Sequence, residues 1–240
     1  MKSESALNVY IGWDSREDIA YEVCRRSMLA RTTHPVKIKS LKRNELKSEG
    51  LYNRKEDPLA STEFTYTRFL VPYLNDYKGW ALFCDCDFLW LSDVSKLLET
   101  VDNKYAVMCV KHDYRPKEKT KMDGSKQTVY PRKNWSSMVL YNCSHPKNKI
   151  LTPDLVNTET GAFLHRFQWL NDNEIGGVPE TWNWLEGWSE KPTDGTNPNV
   201  IHFTRGGPWF ESWTNVDYAT EWNYEKNLLL EEASNNKKYR

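Results

Sequence analysis

The stretch Trp80-Ala-Leu-Phe-Cys-Asp-Cys-Asp-Phe-Leu-Trp90 decides the fold of this chain. Its first five residues form a short apolar run, which predicts a buried strand over Trp80 to Cys84. Two carboxylates, Asp85 and Asp87, follow before apolar residues resume at Phe88. A buried carboxylate is normally paired or bound to a metal, and carboxylate oxygens suit Mg²⁺ or Mn²⁺. The pattern therefore indicates a divalent metal site, with a turn that carries two solvated aspartates as the alternative.

The segment before that strand, Ser61 to Leu74, has apolar residues at helical spacing and predicts a helix that carries Arg68. Tyr66, Arg68, Pro72 and the Asp85-Cys86-Asp87 triplet together resemble the pattern of glycosyltransferase family 8, within the nucleotide-diphospho-sugar transferases of GT-A fold. That family has a Tyr-x-Arg-(apolar)-x-x-Pro-x-Leu helix, a short loop and an apolar strand ending in Asp-x-Asp. The resemblance implies that the Asp-x-Asp triplet binds manganese, which holds the sugar-nucleotide diphosphate, and that Arg68 contacts the donor.

Composition narrows the class of protein further. A chain of 240 residues is compatible with one α/β domain or two small ones. Its 33 basic residues balance 33 acidic ones, so no global basic field points to nucleic acid. Five cysteines without a Cys-x-x-Cys pair argue against zinc. The polar start and the lack of a long apolar run predict a soluble, cytoplasmic protein with no transmembrane segment. A transferase without a membrane anchor is expected to be of a bacterial or viral type.

The beginning of the chain predicts the first half of a Rossmann-like sheet. Leu7 to Trp13 indicates a strand, a helix follows through about Arg31 with Ser15 as its N-cap, and Val36 to Leu41 indicates a second strand. Ligands of such sheets bind at the carboxyl ends of strands. The resembling family uses this loop to hold the nucleoside, usually uridine. No Gly-x-Gly-x-x-Gly fingerprint is present, which argues against a dinucleotide dehydrogenase. The expected nucleotide contacts are Ile11, Trp13, Asp14 and Arg16.

The middle of the chain predicts a short helix over Asp93 to Leu98, capped by Ser92, and a strand over Tyr105 to Val110. Lys111 to Lys133 is rich in charge and indicates a solvated loop, with a mobile loop over the site or on the acceptor side as the alternative. Asn134 to Asn142 predicts a strand that starts with small polar residues. The family has a similar strand whose start touches the donor sugar. The residues that fill this position here are Trp135, Ser136 and Ser137. Cys86, between the two aspartates, is a further expected donor-binding residue.

The segment Pro153 to Leu170 is predicted to be mostly helical. Ile175 to Leu185 follows and resembles the family's Leu-Pro-x-x-(aromatic)-Asn segment, with Val178 in place of the leucine. The family also has an Asp-Gln pair upstream of this point, which this chain lacks. The polar residues that stand nearby instead are His165, Arg166 and Gln168.

A second motif, Val200-Ile-His-Phe-Thr-Arg-Gly-Gly-Pro-Trp209, places His202 on an apolar strand ahead of a glycine-rich turn. The family's equivalent is His-x-x-Gly-x-x-Lys-Pro-Trp, whose histidine is the third manganese ligand and whose lysine contacts the diphosphate. The resemblance thus implies that His202 binds the metal, although a lone histidine on a strand is often structural. Because the lysine is absent, Arg205 or the backbone amides of Gly206 and Gly207 are expected to contact the diphosphate, and Trp209 is a further expected donor-binding residue.

These features predict a single GT-A-like Rossmann-type α/β domain over residues 1–240, with a mixed, mainly parallel central sheet flanked by helices. The expected parts are a nucleotide-binding half over 7–110, a sugar and acceptor half over 134–215 and a C-terminal helix and tail over 216–240. The expected cofactor is Mn²⁺ or Mg²⁺, and its expected ligands are Asp85, Asp87 and His202.

The expected function is transfer of a hexose from a UDP-sugar donor to a saccharide or another hydroxyl acceptor. Family 8 enzymes retain the anomeric configuration, and no motif here marks a carboxylate as the base that inversion needs, so retention is expected. The catalytic candidates are Arg68, His165 and Gln168.

Two other classes remain open. A metal-dependent nucleotidyltransferase or phosphohydrolase also uses paired aspartates, and it predicts further carboxylates beside the metal. A relative that binds sugar without turnover is the second alternative. The sequence leaves the sugar, the acceptor and the oligomeric state open.

Overall fold

The protein is built on a mixed α/β framework with two sheets. The computed structural model describes residues 6–58, 60–113, 131–193 and 195–238. The strands are β1 (Leu7–Gly12), β2 (Val36–Leu41), β3 (Trp80–Cys84), β4 (Phe88–Trp90), β5 (Val107–Cys109), β6 (Met138–Asn142), β7 (Ile175–Gly177), β8 (Trp184–Leu185) and β9 (Val200–His202). The helices are α1 (Asp18–Leu29), α2 (Arg43–Ser48), α3 (Val71–Leu74), α4 (Val94–Leu98), α5 (Pro153–Thr158), α6 (Gly161–His165) and α7 (Ala219–Lys238).

The central sheet has six strands in the order β2-β1-β3-β6-β5-β7. Strand β1 runs parallel to both β2 and β3, and β5 runs parallel to β7. Strand β6 is antiparallel to both of its neighbours, β3 and β5. The predicted mixed and mainly parallel sheet flanked by helices is therefore confirmed. Among the described residues, the helices are all too short or too polar to cross a membrane.

The stretch around the two aspartates connects the two sheets. Strand β3 belongs to the central sheet and is fully buried from Ala81 onward, whereas β4 belongs to a smaller sheet with the order β4-β9-β8. The strand register sets Cys84 opposite Met138 in the first sheet and Phe88 opposite His202 in the second. Asp85 and Asp87 consequently lie where one sheet ends and the other begins, within reach of the carboxyl end of β9.

Two predicted helix caps are wrong: Glu17 precedes helix α1 without a side-chain cap hydrogen bond, and Asp93 caps helix α4. Helix α1 begins at Asp18 rather than near Ser15. The Ser15 hydroxyl and backbone N–H both donate to the Glu63 carboxylate, at 2.6 Å and 3.1 Å, so this serine ties two loops together instead. Helix α4 is capped by Asp93, whose carboxylate accepts from the Ser95 N–H at 2.8 Å, and not by Ser92.

Two predicted helices are shorter than their apolar spacing indicates. The 61–74 segment becomes helical only at the 3₁₀ turn Thr67–Leu70, which leads into α3. The 153–170 segment divides into α5 and α6 because Thr160 caps a new helix by accepting from the Phe163 N–H at 3.0 Å. Side-chain hydroxyls of this kind compete with continuous helical bonding. Of the charged segment predicted as a loop, residues 114–130 lie outside the described residues.

The predicted C-terminal helix is confirmed as α7, and buried charge attaches it to α1. The Glu225 side chain is 3% exposed and contacts Arg26 and Arg31, with the Arg31 pair at 2.7 Å. Glu232 makes a second contact with Arg26 at 2.7 Å, but its side chain is 58% exposed. The two glutamates thus offer a matched comparison of a buried and an exposed ion pair between the same helices.

We expect Glu225→Ala to lower the free energy of unfolding by about 2–3 kcal/mol, because two arginines on and just after α1 lose a buried partner. Glu232→Ala, the exposed control, should cost less than about 1 kcal/mol. Urea denaturation of both variants measures the difference. Equal losses in the two variants would show that α7 is not held through Glu225.

Candidate active site

Three side chains predicted to bind a metal come together at the junction of the two sheets. Ligand atoms of Asp85, Asp87 and His202 all lie within 4.8 Å of one another, and His202 Nε2 is 3.4 Å from Asp87 Oδ2. His202 is almost fully buried, while Asp85 and Asp87 keep 15% and 20% of their side-chain surface exposed. The group is therefore partly open, so that a ligand can reach the carboxylates from one side.

The protein compensates the carboxylates only in part. Asp87 Oδ1 is buried and has no hydrogen-bond partner among the described residues, whereas the buried Asp85 Oδ1 has an ion-pair contact with Arg68 at 2.8 Å but no bond of hydrogen-bond geometry. Such groups are costly unless something compensates them. Two carboxylate oxygens with one imidazole nitrogen form a donor set that suits Mn²⁺, and carboxylate oxygens also suit Mg²⁺. The residues present therefore fit the divalent ion that the sequence predicts.

Arg68 provides the positive charge closest to this group. Its guanidinium is 2.8 Å from Asp85 Oδ1, and the same nitrogen donates to the Ser136 carbonyl at 2.9 Å. The distance is that of an ion pair, although the N–H groups do not meet hydrogen-bond geometry at Oδ1. Arg68 is buried between the rings of Phe64 and Phe83. Its observed partner is thus the metal motif itself, and its contact with a donor stays a prediction.

Burial governs the ionisation of the acidic residues here. It raises the pKa of Asp85, an effect that Arg68 opposes and the charge of Asp87 reinforces. Glu17 behaves in the same way: burial first, and then the nearby charges of Asp87 and Asp14, raise its pKa well above the ordinary value. A third carboxyl group therefore lies within electrostatic range of the Asp-x-Asp motif.

The 3₁₀ turn Trp135–Ser137 connects the separate parts of the site. The Ser137 carbonyl accepts from the Asp85 N–H at 2.9 Å, and the Ser136 carbonyl accepts from Arg68. The Ser136 hydroxyl is bonded to His165 Nδ1 at 2.8 Å. Two of the predicted sugar contacts are thus part of the scaffold that holds the metal motif, and His165 reaches the site through one of them.

The loop after β1 is organised by its own aspartate. The buried Asp14 carboxylate accepts from the Arg16 side chain at 2.8 Å and 2.9 Å and from the Glu63 N–H at 3.0 Å. Burial alone would raise the pKa of Asp14, but these hydrogen bonds outweigh it and hold the pKa below its usual value. Trp13 donates its ring N–H to Asp18 at 2.7 Å. The loop is therefore preformed, and its contact with a nucleoside stays a prediction.

Arg205, the predicted substitute for the family's lysine, is held in place by an acidic and an aromatic side chain. Its guanidinium donates to the buried Glu186 carboxylate at 3.0 Å and lies over the Trp213 ring at 5.2 Å. Gly187 has a φ of +72°, and a Cβ atom there would lie 1.9 Å from Arg205 Nη2. The Glu186-Gly187 pair therefore fits only because residue 187 lacks a side chain.

The other predicted residues are buried in the core, bonded elsewhere in the protein or exposed. The side chains of Ile11 and Cys86 are buried in the main core, and Trp209 packs against Phe203 and Trp222. Gln168 is exposed and makes no hydrogen bond with the Asp85 group within the part of the chain that is described. Trp135 donates its ring N–H to the His112 carbonyl at 3.0 Å.

Sequence reasoning missed three residues that the structure brings near the site. Asn183 contacts His202 directly, and its position in the Trp-Asn part of the Pro-x-x-Trp-Asn segment was the available signal. Glu17 follows Asp14 by three residues on the same loop. His112 is half-buried, and burial followed by the nearby His202 lowers its pKa to about 3. Nothing in the local sequence of His112 distinguishes it from an ordinary loop residue.

Comparison with known proteins finds a relative among curated sequences. The chain is 56% identical over 220 residues to a protein of Arabidopsis thaliana named Protein CDI, a match that covers 90% of this chain and 84% of the plant protein. No protein-family model matches. A plant relative at this identity fits poorly with the expectation of a bacterial or viral type of enzyme.

Solved structures with a similar fold are glycosyltransferases. They include the galactosyltransferase LgtC (TM-score 0.58, 11% identity, 92% of this chain and 95% of that chain). GlyE of Streptococcus pneumoniae TIGR4 (TM-score 0.59, 13% identity) is matched over 98% of this chain. The bifunctional glycosyltransferase WbbM (TM-score 0.58, 16% identity) is matched over 94% of this chain. The chain spans about half of the WbbM chain and 64% of the GlyE chain. At these identities the likeness establishes the GT-A-like fold.

We expect Arg68→Met to lower the free energy of unfolding by about 3 kcal/mol in EDTA, because the Asp85 charge then lacks its buried partner. Saturating Mn²⁺ should recover part of the loss by supplying positive charge at the same carboxylates. Denaturant titration with and without the metal measures both effects.

The matched control is Arg25→Met, since Arg25 is 44% exposed and its pair with Glu22 is 3.8 Å long. Its cost should stay below about 1 kcal/mol and should not depend on Mn²⁺. A loss in Arg68→Met no larger than that of the control would contradict the role given to the Arg68–Asp85 pair.

The raised pKa of Asp85 predicts a pH dependence of stability in EDTA. Above about pH 4 an unfolded aspartate loses its proton, whereas Asp85 in the folded state still holds its proton. The contribution of Asp85 to stability is therefore fully present below about pH 4 and is lost as the pH rises from there through the raised pKa of the folded state. Asp85→Asn should remove this loss, so its stability relative to wild type should increase from about pH 4 to pH 7. A constant difference across that range would exclude the burial effect.

Proposed function

The chain belongs to the family of the Arabidopsis protein named Protein CDI, and we propose that it is a metal-dependent glycosyltransferase that uses a nucleotide-sugar donor. The observation that carries the proposal is the partly open group of Asp85, Asp87 and His202, in which the buried Asp87 Oδ1 has no hydrogen-bond partner within the described residues. This group lies at the carboxyl end of β3, the edge at which sheets of this class bind ligands.

The metal and the surrounding cations have separate tasks in this proposal. When bound at Asp85, Asp87 and His202, Mn²⁺ or Mg²⁺ would neutralise the charge that develops on a leaving diphosphate. Arg68 balances the carboxylates from the buried side of the site. Glu186 fixes the position of Arg205, whose side chain keeps 27% of its surface exposed, and the proposal assigns its guanidinium to the anionic donor.

A pocket of about 500 Å³ beside the β1–α1 loop supports an anionic ligand. Five basic residues and three acidic ones share its walls, so positive charge is in excess next to the loop proposed to hold the nucleoside. Two of the basic residues are already paired, Arg16 with Asp14 and Arg43 with Glu63. The basic residues that line it are Arg16, Arg43, Lys47, Arg54 and Lys55.

We further propose that the reaction has the features of glycosyltransferase family 8. The donor is a UDP-hexose, the acceptor is a hydroxyl group, and the anomeric configuration is retained. The C1–O bond to the diphosphate breaks, the acceptor oxygen bonds to C1 on the same face, and the acceptor proton passes to the departing diphosphate. His165, held by the Ser136 hydroxyl, and Gln168 are the side chains proposed to steady the positive charge on the sugar. In this proposal residues 7–110 bind the nucleotide and 134–215 bind the sugar and acceptor, within one domain.

One observation favours a second class, the metal-dependent nucleotidyltransferases and phosphohydrolases. Such enzymes need further carboxylates beside the metal, and Glu17 lies within electrostatic range of Asp85 and Asp87. The two classes differ in the bond that breaks. A glycosyltransferase breaks the C1–O bond and releases a nucleoside diphosphate, whereas the second class breaks a P–O bond, which in a nucleotide sugar gives a nucleoside monophosphate and a sugar phosphate.

The test is incubation of the purified protein with a panel of UDP-sugars and other nucleotide sugars in Mn²⁺, with identification of the released products. We expect UDP release that stops in EDTA, and a loss of about 100-fold or more in Asp87→Asn because metal charge stabilisation is worth several kcal/mol. The exposed Asp154→Asn is the matched control and should retain full activity. UDP release unaffected by EDTA would overturn the metal role, and release of a nucleoside monophosphate with a sugar phosphate would favour the second class.

A further inference from the structure

A buried amide faces the side of His202 that points away from the carboxylates. Asn183 has no exposed surface, and its Oδ1 lies 2.9 Å from His202 Nδ1. Its Nδ2 donates to the Ser137 hydroxyl at 2.9 Å, and that hydroxyl donates to the Asn134 carbonyl at 2.7 Å. These contacts form one continuous chain of hydrogen bonds from the turn at residues 134–137 to the imidazole.

The direction of these hydrogen bonds determines which imidazole nitrogen of His202 carries the proton. The Ser137 hydroxyl has one proton, which it gives to the Asn134 carbonyl, so its oxygen accepts from the Asn183 NH₂ group. The Asn183 oxygen is then the atom that faces His202, and it requires a donor. His202 Nδ1 must therefore carry the proton, which leaves the lone pair on Nε2, the nitrogen beside Asp87.

We propose that Asn183 is a positioning residue that keeps His202 in the Nδ1–H tautomer and so holds Nε2 ready to bind a divalent ion. This inference rests on the metal site of the proposed function. Its importance follows from the position of Asp87, whose Oδ2 is 3.4 Å from Nε2 and would otherwise attract the imidazole proton to that nitrogen. A proton on Nε2 would occupy the lone pair that a metal needs.

The surroundings of His202 keep this arrangement rigid. The Phe88 ring stacks on the imidazole, with ring centroids 4.5 Å apart and planes inclined by 21°. Asn183 directly follows the 3₁₀ turn Glu180–Trp182, and Ser137 also accepts the Asp85 N–H through its carbonyl. Ser137 therefore contacts both Asp85, at the end of β3, and the Asn183 amide that orients His202. It thereby links the position of the histidine to that of the carboxylates.

Nitrogen NMR of metal-free protein labelled with ¹⁵N-histidine tests the tautomer without any transferase activity. His202→Gln identifies the signal. In the wild type we expect protonated Nδ1 and unprotonated Nε2. Asn183→Leu, which removes the acceptor at nearly constant volume, should move the proton to Nε2. Asn183→Asp, which keeps an acceptor oxygen toward Nδ1, should preserve the wild-type tautomer. An Nε2–H signal in the wild type, or an unchanged tautomer in Asn183→Leu, would overturn the proposal.

Titration calorimetry with Mn²⁺ alone measures the consequence for the metal. Loss of a residue that orients a ligand typically weakens metal binding 10- to 100-fold, and we expect a change of about that size in Asn183→Leu and recovery in Asn183→Asp. The matched control is Asn148→Leu, because Asn148 is equally buried and bonds the Ala106 and Asn142 carbonyls instead. It should lose stability while keeping the tautomer and the Mn²⁺ affinity.

The outcomes separate this inference from the proposed function. If wild-type protein does not bind Mn²⁺ but shows the Asn183-dependent tautomer, the metal-dependent function fails and the orienting role stands. If Mn²⁺ binds and UDP is released but Asn183→Leu binds the metal as tightly as wild type, the inference fails and the function stands. Should Asn183→Leu not fold, Ser137→Ala replaces it, since freeing the amide to rotate should also shift the proton toward Nε2.

Discussion

The structure depends on one electrostatic constraint, the presence of two carboxylates at the end of a fully buried strand. Asp85 and Asp87 follow directly on β3, and the protein surrounds them with compensating groups that come from distant parts of the chain. Arg68 approaches from the segment before the strand, the turn at 135–137 provides carbonyl groups, and β9 brings His202. Because each of these groups is also packed in the core, the site and the fold are stabilised by the same contacts.

Most of the sheet could be predicted from the sequence, because its strands are short apolar runs bounded by polar residues. β1, β2, β3 and the strand that carries His202 lie where their patterns indicate. Helix boundaries were less predictable, since Ser15 bonds to Glu63 and Thr160 starts a new helix, and neither choice is visible in apolar spacing. The three predicted metal ligands do converge. Glu17 and His112 could not be found because their proximity to the site results from tertiary packing alone.

The sequence predicts several polar residues near the site as ligand contacts, yet in the structure they bond mainly to the protein. Asp14 bonds to its own loop, Ser136 to Arg68 and His165, and Arg205 to Glu186. Groups that are held in this way lose little further freedom when a ligand arrives, which favours binding by preorganisation. A motif therefore identifies which residues surround a site more reliably than it identifies which atoms touch the ligand.

The position of β6 between β3 and β5 has a consequence for synthesis on the ribosome. Strand β3 pairs on one side with β1, which precedes it, but on the other side with β6, which emerges more than fifty residues later. Until then the apolar Trp80–Cys84 strand is an open sheet edge, and such edges are sites of intermolecular pairing. The nascent chain thus passes through a stage that is prone to aggregation, and chaperone protection of that stage would influence how much active protein a cell obtains.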